Sequence, residues 1–290
     1  MTSRRQLLAG AAATLMAAPA TSRRPRWPRG VQLWSVDALL RRDFAGTLRK
    51  LAALGYTRVE AAGWHGRTAA AFGTEVRTAG LSCDSAHVGL AELATDPSGT
   101  ISAARDAGCR WAVCPAPLPA VPQQPGDWNA ALAAAMTADD WRRNAEVLNR
   151  AAAIARRAGL GFGYHNHAAE FIVRDGWRGF DLLLEHTDAA LVSLELDVAW
   201  AQVGGEDPAV LIRRLGRRVR LLHLKDAVRD ATGKLVPAAL GDGVVNWRTV
   251  FVAADAAGVT DAYVEVEAPL ARPVLESLAL VRARLDRLRR

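Results

Sequence analysis

Short apolar runs alternate with amphipathic helical stretches along most of the chain. A recurring unit joins a helical stretch that ends in Ala-Gly or Leu-Gly to a β-rich apolar run that begins a few residues later. Glycine is typical of the position after a helix, because the backbone turns there through a left-handed conformation that disfavours other residues. The glycines at this position are Gly55, Gly80, Gly108, Gly159 and Gly258.

The apolar runs counted from these glycines predict strands at Gly30–Ser35, Arg58–Ala62, Ser82–His87, Trp111–Pro115, Gly161–His165, Val192–Asp197, Val219–Leu224 and Ala262–Glu267. The periodicity between them predicts helices at Phe44–Leu54, Asp139–Ala158, Phe180–His186, Pro208–Leu215, Trp247–Ala257 and from about Pro273. Regular alternation is typical of an α/β protein, and about eight such units favour a closed (β/α)8 TIM barrel. The alternative is a doubly wound open sheet, but the chain has no glycine-rich dinucleotide fingerprint to support it.

Two predicted connections are longer than is usual between a strand and a helix. They span residues 116–138 and 227–246. Long loops at one end of a barrel commonly form the walls of its site, so we expect both segments to border the functional pocket.

The first 20 residues have the pattern of an export signal. Arg4 and Arg5 precede an apolar segment, Leu7 to Ala18, that is too short to span a bilayer. The pattern resembles a twin-arginine signal. We therefore predict a signal at 1–20, a linker at 21–29 and a barrel at 30–290, in a periplasmic or extracellular protein without stable membrane insertion. The alternative is a basic N-terminus on a cytoplasmic enzyme.

Composition narrows the class of protein. Half of the 290 positions are hydrophobic, which is enough for a large core, and the formal net charge is +7. Much of the basic excess lies at the two ends of the chain, so we expect no nucleic-acid binding. Cys83, Cys109 and Cys114 form no CxxC pair, and their apolar neighbours predict buried thiols without a disulfide framework.

The stretch GFGYHNHAAEF, residues 161–171, carries the densest candidate chemistry. A strand-like run ends there in His165, Asn166 and His167, and Glu170 follows. Imidazole and carboxylate groups are the usual metal ligands and proton-transfer groups of enzymes. We therefore predict that the remaining strands bring their polar ends to this stretch.

Polar residues also mark the ends of the other predicted strands, where a parallel barrel gathers its reactive groups. They are Gln32, Trp34, Glu60, Asp84, His87, Glu195, Asp197, His223, Lys225, Asp226, Glu265 and Glu267. Asp197, His223 and Glu265, with a ligand from residues 165–170, form an oxygen and nitrogen set suited to Mn²⁺, Mg²⁺, Co²⁺, Fe²⁺ or Zn²⁺. Side chains two residues apart in a strand point to the same face, so Glu195 points the same way as Asp197, and Glu267 the same way as Glu265. Spacing alone therefore does not show which member of each pair is the metal ligand.

Several of these residues have a structural alternative. Asp197 could cap a helix, and His223 could be a core histidine. Lys225 could form an ion pair with Asp226 instead of binding a sugar hydroxyl or an enolate. Trp34, Trp64 and Trp200 could stack on a sugar ring or cap the core.

The sequence resembles the sugar phosphate isomerase/epimerase family, the xylose isomerase-like TIM barrels, over roughly residues 30–280. The resemblance rests on VQLWSV, YHNHAAEF, LELDVAW, HLKD, LGDGVVNW and YVEVE. It implies a divalent metal held by acidic residues of strands five, six and eight and a histidine of strand seven. Asp197, His223 and Glu265 match the last three. Many members have Glu-Asn-His at strand five, whereas this chain has His165-Asn166-His167, so the first ligand is either His165 or Glu170.

The resemblance also implies a reaction. In the family's epimerases, the two metal-bound carboxylates shuttle protons across a sugar C–H bond, and here an imidazole replaces one of them if His165 is the ligand. We predict a metal-dependent isomerase or epimerase that acts on a sugar or keto-sugar through an enediolate. The predicted catalytic residues are Glu265, His165, Glu170 and Lys225, and the predicted substrate-binding residues are Gln32, Trp34, Glu60, His87, His167 and Trp200.

The same residues are compatible with other functions. A keto-glycoside lyase or hydratase, or an inosose-type dehydratase, could use the same residues, and an exported sugar-binding protein could have lost catalysis. An endonuclease of this barrel type needs several histidines for a multi-zinc site, and the chain has only six. The expected partner is a small carbohydrate. We expect it to be unphosphorylated, because the chain lacks a GxxxxGK[ST] loop, and a homo-oligomer is compatible with the sequence.

Overall fold

The computed structural model describes residues 29–267 and 272–288. Within these ranges, eight parallel strands close into a barrel, and each strand pairs with its neighbours in chain order. They are β1 (Gly30–Gln32), β2 (Arg58–Ala62), β3 (Ser82–His87), β4 (Trp111–Cys114), β5 (Gly161–His165), β6 (Val192–Asp197), β7 (Val219–Leu224) and β8 (Asp261–Val264). The barrel closes through β1 and β8, where Gly30 faces Tyr263 and Val31 faces Val264. The predicted TIM barrel is confirmed, and this closure excludes an open sheet.

Helices surround the barrel and follow the predicted units. In chain order they are α1 (Asp37–Arg42), α2 (Phe44–Ala53), α3 (Ala69–Thr78), α4 (Leu90–Thr95), α5 (Pro97–Asp106), α6 (Trp128–Ala135), α7 (Ala138–Arg157), α8 (Gly179–His186), α9 (Val198–Val203), α10 (Pro208–Leu215), α11 (Trp247–Ala257) and α12 (Val274–Leu288). The five glycines expected at helix ends all have positive φ, between +77° and +97°. This prediction is therefore confirmed.

The first and last strands are shorter than predicted. β1 ends at Gln32, because the Gln32 side chain accepts a hydrogen bond from the Trp34 backbone N–H and starts a 3-10 helix at Leu33–Val36. Val31 is the last residue of β1 that pairs with β8, and its partner is Val264. β8 therefore ends at Val264. Glu265 therefore follows the strand instead of lying within it, and β4 similarly ends one residue early, at Cys114.

The two long connections contain regular structure that the sequence did not predict. Residues 116–138 include α6, and residues 227–246 include all but the first residue of a hairpin formed by Asp226–Arg229 and Leu235–Ala238. A smaller hairpin pairs Val173–Arg174 with Trp177–Arg178. The α6 segment borders the cavity described below, as expected for the first of these connections, but no residue of 227–246 lines that cavity, so the expectation for the second connection is wrong.

We call the end of the barrel formed by the N-terminal ends of the strands its lower end, and the opposite end its upper end. The lower half of the barrel interior is apolar. A separate buried cluster of Trp111, Val113, Leu221 and Tyr263 fills it. A Cβ atom on Gly161 would lie 2.4 Å from the Trp111 ring. A glycine at this position is therefore what allows the Trp111 indole to lie inside the barrel.

An ion-pair network closes the opposite end of the barrel from the predicted site. Asp84 lies 2.8 Å from Arg58 and 3.3 Å from Arg110, and Asp261 lies 3.0 Å and 2.7 Å from the same guanidinium groups. Arg58 and Asp261 begin their strands, so the network marks the N-terminal ends. The prediction that Asp84 belongs to the functional rim is wrong, since its side chain belongs to this network.

The three cysteines are free and buried, as predicted. The predicted signal at 1–20 lies outside the described residues, as does the linker except for Arg29. No helix in the described part of the chain is long and apolar enough to cross a membrane.

The barrel interior generates a stability prediction with a matched control on the same strand. We expect Gly161→Ala to lower the free energy of unfolding by about 1–3 kcal/mol, the usual cost of an extra methyl group in a packed interior. At Gly163 the nearest atom to an added Cβ, in Val113, is 3.5 Å away, which is ordinary contact. Gly163→Ala should therefore change stability by less than about 1 kcal/mol. Urea unfolding measures both variants, and equal losses would contradict the packing of Trp111.

Candidate active site

Polar side chains form two stacked groups inside the upper half of the barrel. We name as the inner group Gln32, Glu60, His87 and Glu195, and as the outer group Asp197, His223, Lys225 and Glu265. All eight belong to strands or to the residue directly after a strand, and His87, the most exposed of them, keeps only 13% of its side-chain surface accessible. Because parallel strands point their C-terminal ends the same way, residues far apart in sequence meet here.

The outer group surrounds His223 and Lys225. His223 Nδ1 lies 3.0 Å from Glu265 Oε2 and 3.8 Å from Asp197 Oδ2. Lys225 Nζ lies 2.7 Å from Glu265 Oε2, 3.1 Å from Asp197 Oδ2 and 2.9 Å from Glu267 Oε1. The predicted set of Asp197, His223 and Glu265 is therefore brought together, with Lys225 beside it.

The inner group lies on the other side of the His223 ring. His223 Nε2 is 2.6 Å from Glu60 Oε2 and 3.2 Å from Glu195 Oε2. His87 Nε2 lies 3.0 Å from Glu195 Oε2 and 3.2 Å from Glu60 Oε2. Gln32 Nε2 donates to Glu60 Oε2 over 2.7 Å. The carboxylates of this layer are thus held by imidazole and amide groups.

The neighbours of each group determine its charge. Burial by itself would lower the pKa of His223, but the carboxylates of Glu195, Glu265 and Glu60 raise it well above its usual value. Burial likewise opposes the charge of His87, and Glu60 and Glu195 raise its pKa to about 9. Burial and the adjacent His223 ring lower the pKa of His165 well below its usual value. His165 is therefore harder to protonate than His87 and His223.

The neighbours of each carboxyl group also shift its pKa, and the direction differs from one group to the next. Burial would raise the pKa of Glu265, but Lys225 and His223 lower it far below its ordinary range. Burial opposes the charge of Lys225, yet Asp197, Glu265 and Glu267 raise its pKa. Burial raises the pKa of Asp197. These directions describe a Lys225 ammonium and a Glu265 carboxylate that each favour the charged form of the other.

Lys225 and Asp226 do not form the ion pair that was one alternative at the sequence level. The Asp226 carboxylate accepts hydrogen bonds from the backbone N–H groups of Ala227, Gly241 and Val245 and from the Trp247 indole N–H. Asp226 thus anchors the segment after β7. The helix-cap role predicted for Asp197 is confirmed, because Oδ1 accepts from the Trp200 N–H, while Oδ2 faces the other members of the outer group.

His165 and Glu170, the two candidates for the strand-five ligand, occupy different surroundings. The His165 ring lies 4.4 Å from the His223 ring, and Nδ1 is 3.2 Å from Glu195 Oε2. The Glu170 carboxylate accepts from the Tyr164 hydroxyl at 2.8 Å and from the His167 N–H at 2.9 Å. Burial raises the pKa of Glu170 to about 7. The structure brings His165 to the two groups and does not bring Glu170 to them.

A cavity of about 1470 Å³ opens above the outer group. Of the predicted substrate-binding residues, Trp34, His87, His167 and Trp200 line it, and the Trp34 side chain is 58% exposed. His165 and Glu265 reach the cavity from below. Gln32 and Glu60 are buried beneath it and do not line it, so the structure does not place them in contact with a substrate.

Two sets of donors in the described residues could hold a metal ion. They are Asp197, His223 and Glu265, and His87, His165, Glu195 and His223, with ligand atoms within 4.8 Å of one another in each set. Glu195 Oε1 and Asp197 Oδ2 are buried and accept no hydrogen bond, although Asp197 Oδ2 lies 3.1 Å from the Lys225 ammonium. Carboxylate oxygens and imidazole nitrogens are donors that fit a divalent cation.

Sequence reasoning noted three contributors without assigning them to the site. Glu195 and Glu267 share the direction of Asp197 and Glu265, and that alternation was the signal that could have identified them. Asn166 joins two strand ends, because its Oδ1 accepts from the Asp197 N–H at 3.1 Å.

A family model described as xylose isomerase-like TIM barrel matches residues 48–290. An inosose dehydratase of Geobacillus thermodenitrificans is 32% identical over 136 residues, which are 42% of this chain and 45% of that one. The chain spans less than half the length of the curated relatives it matches.

Solved structures match over nearly the whole barrel. A sugar phosphate isomerase/epimerase from Parabacteroides distasonis has 26% identity and a TM-score of 0.72, and the alignment covers 95% of this chain and 98% of that one. A xylose isomerase-like TIM barrel protein from Mycobacterium smegmatis in complex with magnesium shares the fold, at 17% identity, a TM-score of 0.65 and coverage of 90% and 96%. Together with the family match, the barrel and its strand-end residues show that the chain belongs to the xylose isomerase-like TIM barrel family.

Proposed function

We propose that this protein is a divalent-metal-dependent isomerase or epimerase that removes a proton next to the carbonyl of a sugar or keto-sugar. One observation carries the proposal. Asp197, His223 and Glu265 converge at the base of a large cavity, with Lys225 within 3.1 Å of both carboxylates. This is a combination of metal-ligand and proton-transfer groups, which a binding protein would have no need to keep.

Asp197, His223 and Glu265 are the residues that would hold the metal, with His165 as the strand-five candidate. A bound Mn²⁺, Mg²⁺, Co²⁺, Fe²⁺ or Zn²⁺ would polarise the substrate carbonyl and so acidify the neighbouring C–H bond. The 26% identical isomerase/epimerase and the partly matching inosose dehydratase both support sugar chemistry of this kind.

The chain's own residues supply the proton transfers. His165 and Glu265 both line the cavity. His165 can serve as a base only where it is not a metal ligand, and in that case its imidazole and the Glu265 carboxylate would act on the same carbon. One removes the proton and leaves an enediolate, and the other returns a proton to the opposite face or to the neighbouring carbon. Lys225 is fully buried and does not line the cavity, so it would act through the charges of Asp197 and Glu265, which lie 3.1 Å and 2.7 Å from its Nζ, and not on the substrate itself. Glu267, 2.9 Å from Lys225, keeps the ammonium close to those carboxylates.

Elimination is the second candidate, and the partial match to an inosose dehydratase supports it. In a keto-glycoside lyase or an inosose-type dehydratase, the enediolate would expel a β-leaving group as its C–O bond breaks, and the protonated base would return its proton to that group.

We further propose that the substrate is unphosphorylated. Among the described residues, those that line the cavity include no arginine or lysine. Arg217 and Arg218 precede β7 and therefore lie at the opposite end of the barrel, and Arg213 and Arg214 end α10 on the periphery. A phosphate would lack a cationic clamp at this rim. The same lining gives no electrostatic support for a nucleic-acid substrate.

The metal prediction compares four variants with the wild type. The purified protein should carry about one divalent ion per chain. Asp197→Ala and His223→Ala should lose it, because each removes a donor from the outer group. His165→Ala should lower occupancy, while Glu170→Ala should keep it, since the Glu170 carboxylate is engaged by Tyr164 and His167. Elemental analysis measures all five proteins, and full occupancy in all four variants would mean that the site is misassigned.

Proton exchange tests the reaction itself. In D₂O, the enzyme with its metal should incorporate deuterium next to the carbonyl of a ketose or a 3-keto-glycoside, which NMR detects. His165→Gln should slow the exchange by about 10²–10⁴-fold, the usual contribution of a general base. His186→Gln, on α8, is the control and should exchange at the wild-type rate.

The products of this assay separate the candidate functions. An epimer or isomer supports the first proposal, and an unsaturated product supports elimination. A protein that binds these sugars without exchanging any proton is a binding protein, contrary to both. A clear preference for phosphorylated sugars would contradict the unphosphorylated substrate.

We also propose export through a twin-arginine pathway, on the basis of Arg4 and Arg5 before a short apolar segment. Replacing both by lysine should leave the precursor in the cytoplasm, because that pathway reads the arginine pair. Lysine at Arg23 and Arg24 preserves the pair and should not change export. Cell fractionation measures both variants, and unchanged export of the first would refute the proposal.

A further inference from the structure

The two ring nitrogens of His223 face carboxylates in different groups. Nδ1 lies 3.0 Å from Glu265 Oε2 in the outer group. Nε2 lies 2.6 Å from Glu60 Oε2 in the inner group, and 3.2 Å from Glu195 Oε2. The imidazole thus separates the cavity-facing set of ligands from a buried carboxylate layer.

A metal ion binds only a nitrogen that has lost its proton. A neutral imidazole has one N–H group, and the hydrogen bond made by one nitrogen decides which of the two is free for the metal. For His223 to act with Asp197 and Glu265, Nδ1 must be free and Nε2 must hold the proton. The acceptor closest to Nε2 is Glu60.

Glu60 is itself held in place. The Gln32 side chain accepts from the Trp34 backbone N–H at 3.1 Å and donates to Glu60 Oε2 at 2.7 Å. The Glu60 side chain is fully buried on β2 and does not line the cavity, so it acts on no substrate directly. A continuous chain of hydrogen bonds therefore runs from the cavity rim through Gln32 and Glu60 to His223.

We propose that Glu60 is a positioning residue, which keeps the proton of His223 on Nε2 and thereby presents Nδ1 to a metal ion shared with Asp197 and Glu265. This assignment rests on the proposed metal dependence. It replaces the substrate-binding role predicted for Gln32 and Glu60 from the sequence. A protonated His223 Nε2 cannot bind a metal ion, so the second candidate set of ligands is incomplete. Its other members would then hold His223 in place through hydrogen bonds; they are His87, His165 and Glu195.

The test measures metal affinity, independently of turnover. Metal-free wild type and Glu60→Gln are titrated with Mn²⁺ in a calorimeter. Loss of a carboxylate that orients a ligating histidine commonly weakens metal binding by about 10–100-fold, and we expect a change of that size. Gln32→Leu keeps the Glu60 charge but releases its side chain, so we expect a smaller decrease, of a few-fold.

Asp226→Asn is the matched control. Asp226 is as deeply buried as Glu60 and lies next to Lys225, but its hydrogen bonds all go to the segment after β7. This variant should lower the thermal unfolding temperature and leave Mn²⁺ affinity unchanged. A general effect of losing a buried carboxylate would instead weaken binding in both variants and would overturn the proposal.

The other possible results of the Mn²⁺ titration also test the positioning role of Glu60. Unchanged affinity in Glu60→Gln overturns the positioning role, and complete loss of binding, as in Asp197→Ala, identifies Glu60 as a ligand and also overturns it. If Glu60→Gln does not fold, Gln32→Leu decides, because unchanged affinity there contradicts the hydrogen-bonded chain. Wild type that binds no Mn²⁺, Co²⁺ or Zn²⁺ at all contradicts the proposed function, which is a separate failure.

Discussion

The burial of four carboxylates inside the barrel is the constraint on which the rest of the structure depends. Glu60, Glu195, Asp197 and Glu265 are each at most 5% exposed. Moving such a group out of water costs several kcal/mol unless opposite charges and hydrogen bonds compensate for the lost hydration. The compensating groups are the rings of His87, His165 and His223, the Gln32 amide and the Lys225 ammonium. The site is therefore one interdependent network, in which removing a single member leaves buried charge without a partner.

The barrel supplies the rigid frame that such a network requires. Its lower interior is filled by Trp111, Val113, Leu221 and Tyr263, and its lower end is closed by the ion pairs around Asp84 and Asp261. Dense apolar packing below the network fixes the strands, and the strands fix the distances between the side chains at their upper ends. The apolar cluster around Trp111 and the inner and outer groups thus depend on each other, because neither would keep its geometry if the strands moved apart.

The layered arrangement also separates two tasks that one set of residues could not perform together. Groups that reach the cavity, such as His165 and Glu265, are available to a substrate. Groups below them, such as Glu60 and Gln32, are inaccessible and serve to orient the first set. This division accounts for the large number of ionisable side chains in a site whose proposed chemistry needs only a few of them at the reacting carbon.

The sequence by itself determined the barrel, because each helix-to-strand unit carries local signals: a glycine such as Gly159 that terminates a helix, and a short apolar run with the length and composition typical of a buried strand. It also located Asp197, His223 and Glu265 at strand ends, since alternation and position along a strand are local properties. Only the tertiary structure decided that Lys225 contacts Glu265 rather than its neighbour Asp226, that Glu60 lies under His223, 163 positions away, and that Asp84 belongs to the opposite end. Those contacts depend on the register between neighbouring strands and on the direction of each side chain inside the barrel, and hydrophobic periodicity determines neither.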